Sequence, residues 1–256
     1  MSDQNERVVD QFSQQASAYA ALVNSSSQQP VPDPLIELTA PQQADHVLDV
    51  GCGTGQFIVK IARYVAQATG IDLTPAMLDQ ARAHQLQEGV HNVSWRRADS
   101  SALPVDDGSF SLVTSRSMLH HAADPYATVA EMKRACRPGG RVAVSDLTPE
   151  AAKSPAFDAF ELLRDPSHAR TLTANELREI GQRLGMKELD VSARSSALPF
   201  DAVLATSVPP RELLERVRAL LVRDLDSGGD AFGLRPEMRG DQLWVSYPMT
   251  TVVWSR

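Results

Sequence analysis

The chain has few cysteines, few aromatic residues and no surplus of positive charge, and each shortage excludes a class of protein. Its only two cysteines among 256 residues, Cys52 and Cys136, lie far apart. Cys52 falls in a glycine-rich loop and Cys136 in a stretch predicted to be helical, so no disulfide framework is expected. Neither has the neighbouring Cys or His pattern of a zinc site, and the carboxylates and histidines show no recognised ligand spacing, so no metal is expected. Apolar runs stop well short of the ~18 residues of a membrane span, and the polar, mixed-charge N-terminus lacks a signal core. A cytoplasmic protein with no membrane partner is therefore expected. The formal net charge is −7, which argues against a nucleic-acid partner, and Arg96-Arg97 reads as a solvated face. What is present is a 43% hydrophobic and 22% charged composition, enough for a packed core in one large domain or two small ones.

Val8, Val9, Phe12, Ala16, Tyr19 and Ala20 recur at helical spacing, which predicts an amphipathic helix over 5–23. The segment "NSSSQQPVPDP" predicts a break, and a short helix is expected around Leu35–Thr39. From residue 46 strands and helices alternate. "HVLDVGC", "TGIDL", "VSWRRAD", "FSLVTSRS" and "RVAVSDL" read as strands. "QFIVKIARYVAQA", "TPAMLDQARAHQLQEG" and "PYATVAEMKRACRPGG" read as helices, the second with Thr74 as N-cap, Pro75 in its first turn and Gly89 as stop. This alternation predicts an α/β, doubly wound parallel sheet. Beyond residue 147 the pattern loosens into "AKSPAFDAFELLRDPSHAR", a capped helix in "LTANELREIGQRLGM", a possible strand in "LDVSARSS" and a helix with Leu213, Leu214, Val217, Leu220 and Leu221 on one face. The chain ends in "QLWVSYPMTTVVWSR", β-rich and read as a possible edge strand. No internal repeat and no second glycine-rich loop interrupt this, so one domain over 1–256 is the simplest organisation.

"HVLDVGCGTGQF" runs an apolar strand into Gly51, Gly53 and Gly55 before a helix. Bare backbone admits a ligand closely, and a helix start offers free amide donors. A nicotinamide dinucleotide and S-adenosylmethionine both use such a loop. The dinucleotide fingerprint asks for glycine at position 56, where this chain has Gln56. Asp72, at the end of the second strand, suits either ligand, because a carboxylate accepts from both ribose hydroxyls.

Four linked motifs, "VLDVGCGTG", "GIDLTPAML", "ADSSALPVDDGSFSLVTSRSMLHH" and "RPGGRVAVSD", resemble the class I S-adenosylmethionine-dependent methyltransferases of the type 11 domain, on the branch similar to the ubiquinone and menaquinone biosynthesis enzymes. They cover roughly residues 46–147. "RDPSHARTLTANELREIGQRLGM" and "SYPMTTVVWSR" also resemble a bacterial small-molecule subset, less specifically. The resemblance implies a seven-stranded Rossmann-like sheet, mostly parallel with an antiparallel C-terminal strand. It also implies an N-terminal helical lid over 1–40, a cofactor-binding core over 46–147 and helical insertions on the acceptor side over 148–256.

By the same resemblance S-adenosylmethionine is the cofactor. Gly51 and Gly53 would face its methionine part, Asp49 would order the loop and bond the amino group, and Gly55 would let the helix pack. Asp72 would hold the ribose, Leu73 and Met77 would line the adenine, and Asp99, with Ala98 and Ser100 beside it, would accept from the adenine amino group. Cys52 and Arg116 complete the cofactor set, and Tyr19 would close over the cofactor carboxylate. Asp72 and Asp99 have a simpler reading as helix or turn caps, and Tyr19 as a packing residue.

The segment "RSMLHH" would run under the sulfonium, making His121, then His120, candidate general bases, since an imidazole titrates near neutrality. The alternative is that one packs on the cofactor and the other bonds backbone. Phe157, Phe160, Leu162, Leu163 and Phe200 suggest an apolar or aromatic small-molecule acceptor, though core packing explains them equally. A nucleic-acid methyltransferase would carry an Asn/Asp-Pro-Pro-aromatic motif where this chain has "TSRSM". A non-methylating relative, such as a cyclase holding the cofactor structurally, would share the same motifs and differ in product mass. The acceptor, the atom methylated and the choice between monomer and homodimer are not legible in these residues.

Overall fold

The computed structural model describes residues 2–27, 33–207 and 211–256. Its centre is one sheet. Strands β1 (His46–Val50), β2 (Gln67–Asp72), β3 (Val93–Arg97), β4 (Phe110–Arg116) and β5 (Cys136–Leu147) pair in parallel in the order β3-β2-β1-β4-β5. The order reverses at β1, and ligands bind outside the carboxyl ends of the strands beside such a switch point. Beyond β5 the sheet continues through β8 (Gln242–Ser255), antiparallel to β5, and then β6 (Lys187–Pro199), antiparallel to β8. These seven strands match the expected architecture. An eighth, the three-residue β7 (Glu237–Arg239), pairs with the start of β8.

Helices cover both faces. On one side α3 (Gln56–Ile61) and α4 (Pro75–Gln87) pack with α2 (Pro34–Thr39) against Val47, Ala68 and Leu112. On the other, α5 (Pro125–Ala135) and α7 (Ala174–Arg183) bury Val129, Met132, Leu177 and Ile180 against Val113, Val142 and Trp254. A third apolar cluster joins α6 (Ser154–Arg164), α8 (Phe200–Ala205) and α9 (Arg211–Asp226) to the first half of β8. It holds Phe157, Phe160 and Phe200 fully buried, so these three aromatics are core residues rather than a pocket lining. The helix α1 (Asp3–Ser27) lies across the carboxyl ends of the strands and contacts α4, α3 and α8.

Several expectations shift in detail. The first helix starts at Asp3 and continues through Ser27, past the expected stop at 23, while 28–32 of the expected break lie outside the described residues. The helix expected over 56–68 ends at Ile61 with one 3-10 turn to Tyr64, and Gln67 and Ala68 belong to β2. Ala68 is buried and registers beside Val47, so sheet packing overrides its helix preference. Cys136 is not helical. It is the first residue of β5, with φ −74° and ψ 137°, and it pairs with Phe110 of β4. The C-terminal strand is internal, not an edge. Thr250 to Trp254 are all buried, a continuous run that marks a strand covered on both faces. The edge is β6, where Leu189 and Val191 are 50% and 42% exposed.

The helix α7 starts in a capping box: Thr173 accepts from the Glu176 amide, and Glu176 accepts from the Thr173 amide. It docks on β8 through Gly181, where an added Cβ would lie 2.2 Å from Trp254 Nε1. Gly181→Ala therefore lowers stability by about 1–3 kcal/mol through overpacking. Urea unfolding reads this directly, and an unchanged midpoint contradicts the docking described.

Candidate active site

Three acidic residues stand at the carboxyl ends of adjacent strands: Asp49 near the end of β1, Asp72 at the end of β2, and Asp99 two residues beyond β3. They line a single cavity of about 290 Å³ between the strand ends and α1. Of the expected cofactor residues, Gly51, Cys52, Gly53, Leu73 and Met77 also line it. So do Ala98, Ser100, Arg116 and Tyr19, as does His121. Gly55 and His120 do not line it.

The three glycines are bare for different reasons. All have positive φ, at 71°, 52° and 83° for Gly51, Gly53 and Gly55. A Cβ on Gly51 would lie 2.2 Å from Met118 Cγ, so Met118 fills the side-chain position while the Gly51 backbone lines the cavity. Gly55 faces Ala81 and Trp95, whose atoms would lie 2.8–2.9 Å from its Cβ, which is the expected close helix packing. A Cβ on Gly53 would meet nothing within 4 Å. Gly53 lines the cavity with its side-chain position empty.

The carboxylates are also differentiated. Asp72 Oδ2 accepts from Gly53 N at 2.8 Å and Oδ1 from Thr74 N at 2.8 Å. Asp72 therefore orders the glycine loop, a task expected of Asp49, and steers the chain into α4. Burial still pushes its carboxyl above the usual range. Asp49 is 2% exposed and takes one hydrogen bond, from Thr114 Oγ1 at 2.8 Å. Burial raises it to about 7. Among the described residues none donates to its second oxygen. Asp99 differs again: burial raises it, but Ser101's amide and hydroxyl and the Asn5 amide outweigh that and leave it below the usual value.

Arg116, at the end of β4, is tied at 2.9 Å to Asp33, which also caps α2 through Leu35 N. Its guanidinium stands 5.7 Å over the Phe57 ring. The Tyr19 hydroxyl is pushed up by burial, with Arg116 opposing that shift. The roof helix holds more glutamine than its apolar repeat suggests, since Gln4, Gln11 and Gln15 are buried. Gln4 Nε2 donates to the carbonyls of His121 and Ser167, at 3.0 and 2.6 Å, which pins α1 to the cavity floor.

The floor follows β4. Ser117 has φ 51°, and Leu119–His121 form a 3-10 turn. One residue absent from the sequence expectations holds this turn. Asp146, 3% exposed near the end of β5, accepts from Met118 N and Leu119 N at 3.0 and 2.7 Å, and bonds His120 Nδ1 at 2.5 Å. Burial lowers His120, but Asp146 outweighs it and raises the imidazole above its usual value. Burial likewise raises Asp146, and His120 brings it below its own. The two form a buried ion pair. His121 sits 4.2 Å from the His120 ring and edge-on to Phe12 at 4.9 Å. Burial, then the charge on His120, pushes His121 down to about 3, so it is neutral at neutral pH. Asp146 had a weak sequence signal, an acid at the penultimate position of an apolar strand.

Residues 48–144 match the family model of the methyltransferase domain. Over 210 residues the chain is 27% identical to the uncharacterized methyltransferase YcgJ of Bacillus subtilis, covering 80% of this chain and 82% of that one. The crystal structure of YcgJ superposes with a TM-score of 0.76 at 23% identity, covering 87% and 96%. A ubiquinone biosynthesis O-methyltransferase of Xanthomonas euvesicatoria is 42% identical over 127 residues, but this spans only 49% of this chain and 51% of that protein. The [4+2]-cyclase SpnF shares the fold at a TM-score of 0.58 and 23% identity, covering 87% and 78%.

Breaking the buried pair leaves an uncompensated charge. Asp146→Ala costs about 3–5 kcal/mol of stability by that mechanism. Thermal or urea unfolding checks it, and a loss under about 1 kcal/mol, the worth of an exposed pair, contradicts the burial described.

Proposed function

From a chain whose residues 48–144 carry a methyltransferase domain, we propose an S-adenosylmethionine-dependent methyltransferase that acts on a small molecule. The observation that carries this is the row of three acids along one cavity, with the Gly53 backbone open between them. The residues fit the cofactor. The unpaired oxygen of Asp49 takes the ligand's ammonium, and Gly51, Gly53 and Cys52 border its amino-acid part. Asp72 keeps lone pairs for ribose hydroxyls beyond its two amide bonds. Leu73, Met77 and Ala98 would cover the adenine, Asp99 and Ser100 would stand beside its amino group, and Tyr19 and Arg116 would close the carboxylate end. No described helix is long and apolar enough to cross a membrane.

When bound, the cofactor supplies a methyl group already activated by a positively charged sulfur. The protein's task is then mainly positioning, with the nucleophile held ~3–3.5 Å from that carbon. Within the histidine pair, His121 takes the catalytic place because it lines the cavity, while His120 is consumed by Asp146 and holds the floor. This revises the expectation that either could act as base. The acceptor is expected to be small and in part apolar, since Phe12, Phe57 and Met118 border the same cavity.

Two outcomes test this. Calorimetric titration gives saturable S-adenosylmethionine binding with none for NADH, and Asp72→Ala weakens it at least tenfold, about 1.4 kcal/mol. NADH binding in place of S-adenosylmethionine contradicts the proposal. The second outcome is a pH dependence from Asp49. Its carboxyl is neutral below about 7 in the free protein, and a ligand ammonium favours the charged form. Affinity is then level above about pH 7 and falls as pH drops, by up to tenfold per unit. Asp49→Asn flattens that slope, and a slope unchanged by the substitution contradicts the assignment.

A further inference from the structure

The stretch "RDPSHAR", which resembles a small-molecule subset of the family, meets α1 through Ser167 O. It folds as the turn after α6, directly beneath His121, and is tied to the floor by Ala169 N and Arg170 N donating to His120 O. Asp165 and Ser167 are 4% and 0% exposed and do not line the cavity. Asp165 Oδ1 accepts from the Ser167 hydroxyl at 2.5 Å and from Ser167 N at 2.9 Å. The one hydroxyl proton of Ser167 is therefore committed to Asp165. Ser167 Oγ and Ser167 O each lie 3.1 Å from His121 Nδ1. With its proton elsewhere, Oγ offers Nδ1 only a lone pair, and the carbonyl, already accepting from Gln4, offers the same. A ring nitrogen facing two acceptors must carry hydrogen.

We infer that Asp165 and Ser167 are positioning residues that hold His121 with its proton on Nδ1, leaving the Nε2 lone pair to accept from an un-ionised hydroxyl on the methyl acceptor. This rests on the methyltransferase reading. No described residue hydrogen bonds to Nε2, and His121 lines the cavity between Phe12 and Met118. The charged and titratable groups around the ring are His120, His168 and Asp165, and none of them reaches Nε2. A hydroxyl must lose its proton as it is methylated. That proton passes to Nε2, the O–H bonding pair stays on the acceptor oxygen, and Asp165 stabilises the resulting imidazolium through the Ser167 hydroxyl. The arrangement follows the logic by which a buried aspartate sets the histidine tautomer in serine hydrolases, here with a serine interposed.

The test is long-range ¹H–¹⁵N NMR of the histidine rings in the full-length protein, which reads each tautomer without turnover. Wild type shows His121 protonated on Nδ1 and bare on Nε2; the opposite tautomer overturns the inference. In Asp165→Ala the carboxylate acceptor is gone, which frees the Ser167 hydroxyl proton to face Nδ1, so His121 shifts toward the Nε2–H form. An unchanged tautomer in a folded Asp165→Ala removes Asp165 from the account. Ser167→Ala keeps the carbonyl acceptor and keeps Nδ1–H, and loss of Nδ1–H there also contradicts the geometry. If Asp165→Ala does not fold, the wild-type spectrum and Ser167→Ala still decide. Phenol added to the S-adenosylhomocysteine complex shifts the Nε2 resonance, whereas benzoate, which has no hydroxyl, does not; the reverse order, or no shift with phenol, overturns the acceptor class. Calorimetry on the same samples separates the two layers, because failure to bind S-adenosylmethionine sinks the function while leaving the tautomer result standing.

Discussion

A single buried carboxylate organises the carboxyl edge of this sheet. Asp146 takes two backbone amides and an imidazole from the turn after β4, and so gives that turn one conformation despite the left-handed backbone at Ser117. Everything on the cavity floor then follows by contact. Met118 is placed against Gly51, which must be glycine for that reason. His121 N donates to Met118 O, which fixes where its ring enters the cavity. Burial, with His120 raised by Asp146 beside it, in turn keeps His121 neutral. Without Asp146 two amides would be buried with no acceptor, a cost of ~1–3 kcal/mol each.

Around that floor, acids of one type do different work because their surroundings differ. Asp72 spends both oxygens on backbone and shapes the loop. Asp99 is drawn down by donors from its own turn and from α1. Asp49, poorly bonded and deeply buried, is left half-satisfied, the state expected of a group that waits for a cation. The roof is adapted to this polar interior. An ordinary amphipathic helix would bury only apolar residues, whereas α1 buries Gln4, Gln11 and Gln15 alongside Ala16 and Ala20.

The core fold was legible because its signals are local: an apolar strand running into three glycines, Pro75 opening a helix and Gly89 closing it, and a Thr173–Glu176 capping box. The cavity's acids were legible for the same reason, since each stands at a strand end. What escaped was set by distant contacts. Nothing near Val253 says that β5 and β6 will flank it, although its unbroken buried run was a clue. Nothing near Gly51 says that Met118, far along the chain, fills its side-chain position. Asp146 and Ser167 reach the site only through the Met118–His121 turn, so no local pattern assigns them their task. Phe157, Phe160 and Phe200 were ambiguous in the sequence, fitting a pocket and a core equally, and their helices pack them into a closed core.

A crystal structure with S-adenosylhomocysteine tests the central claim most directly. The account predicts the ligand's ammonium on Asp49, its ribose hydroxyls on Asp72, its adenine between Leu73 and Ala98, and its sulfur facing the Met118–His121 turn. A ligand bound elsewhere, or seated with its ribose away from Asp72 and its sulfur away from that turn, would contradict it.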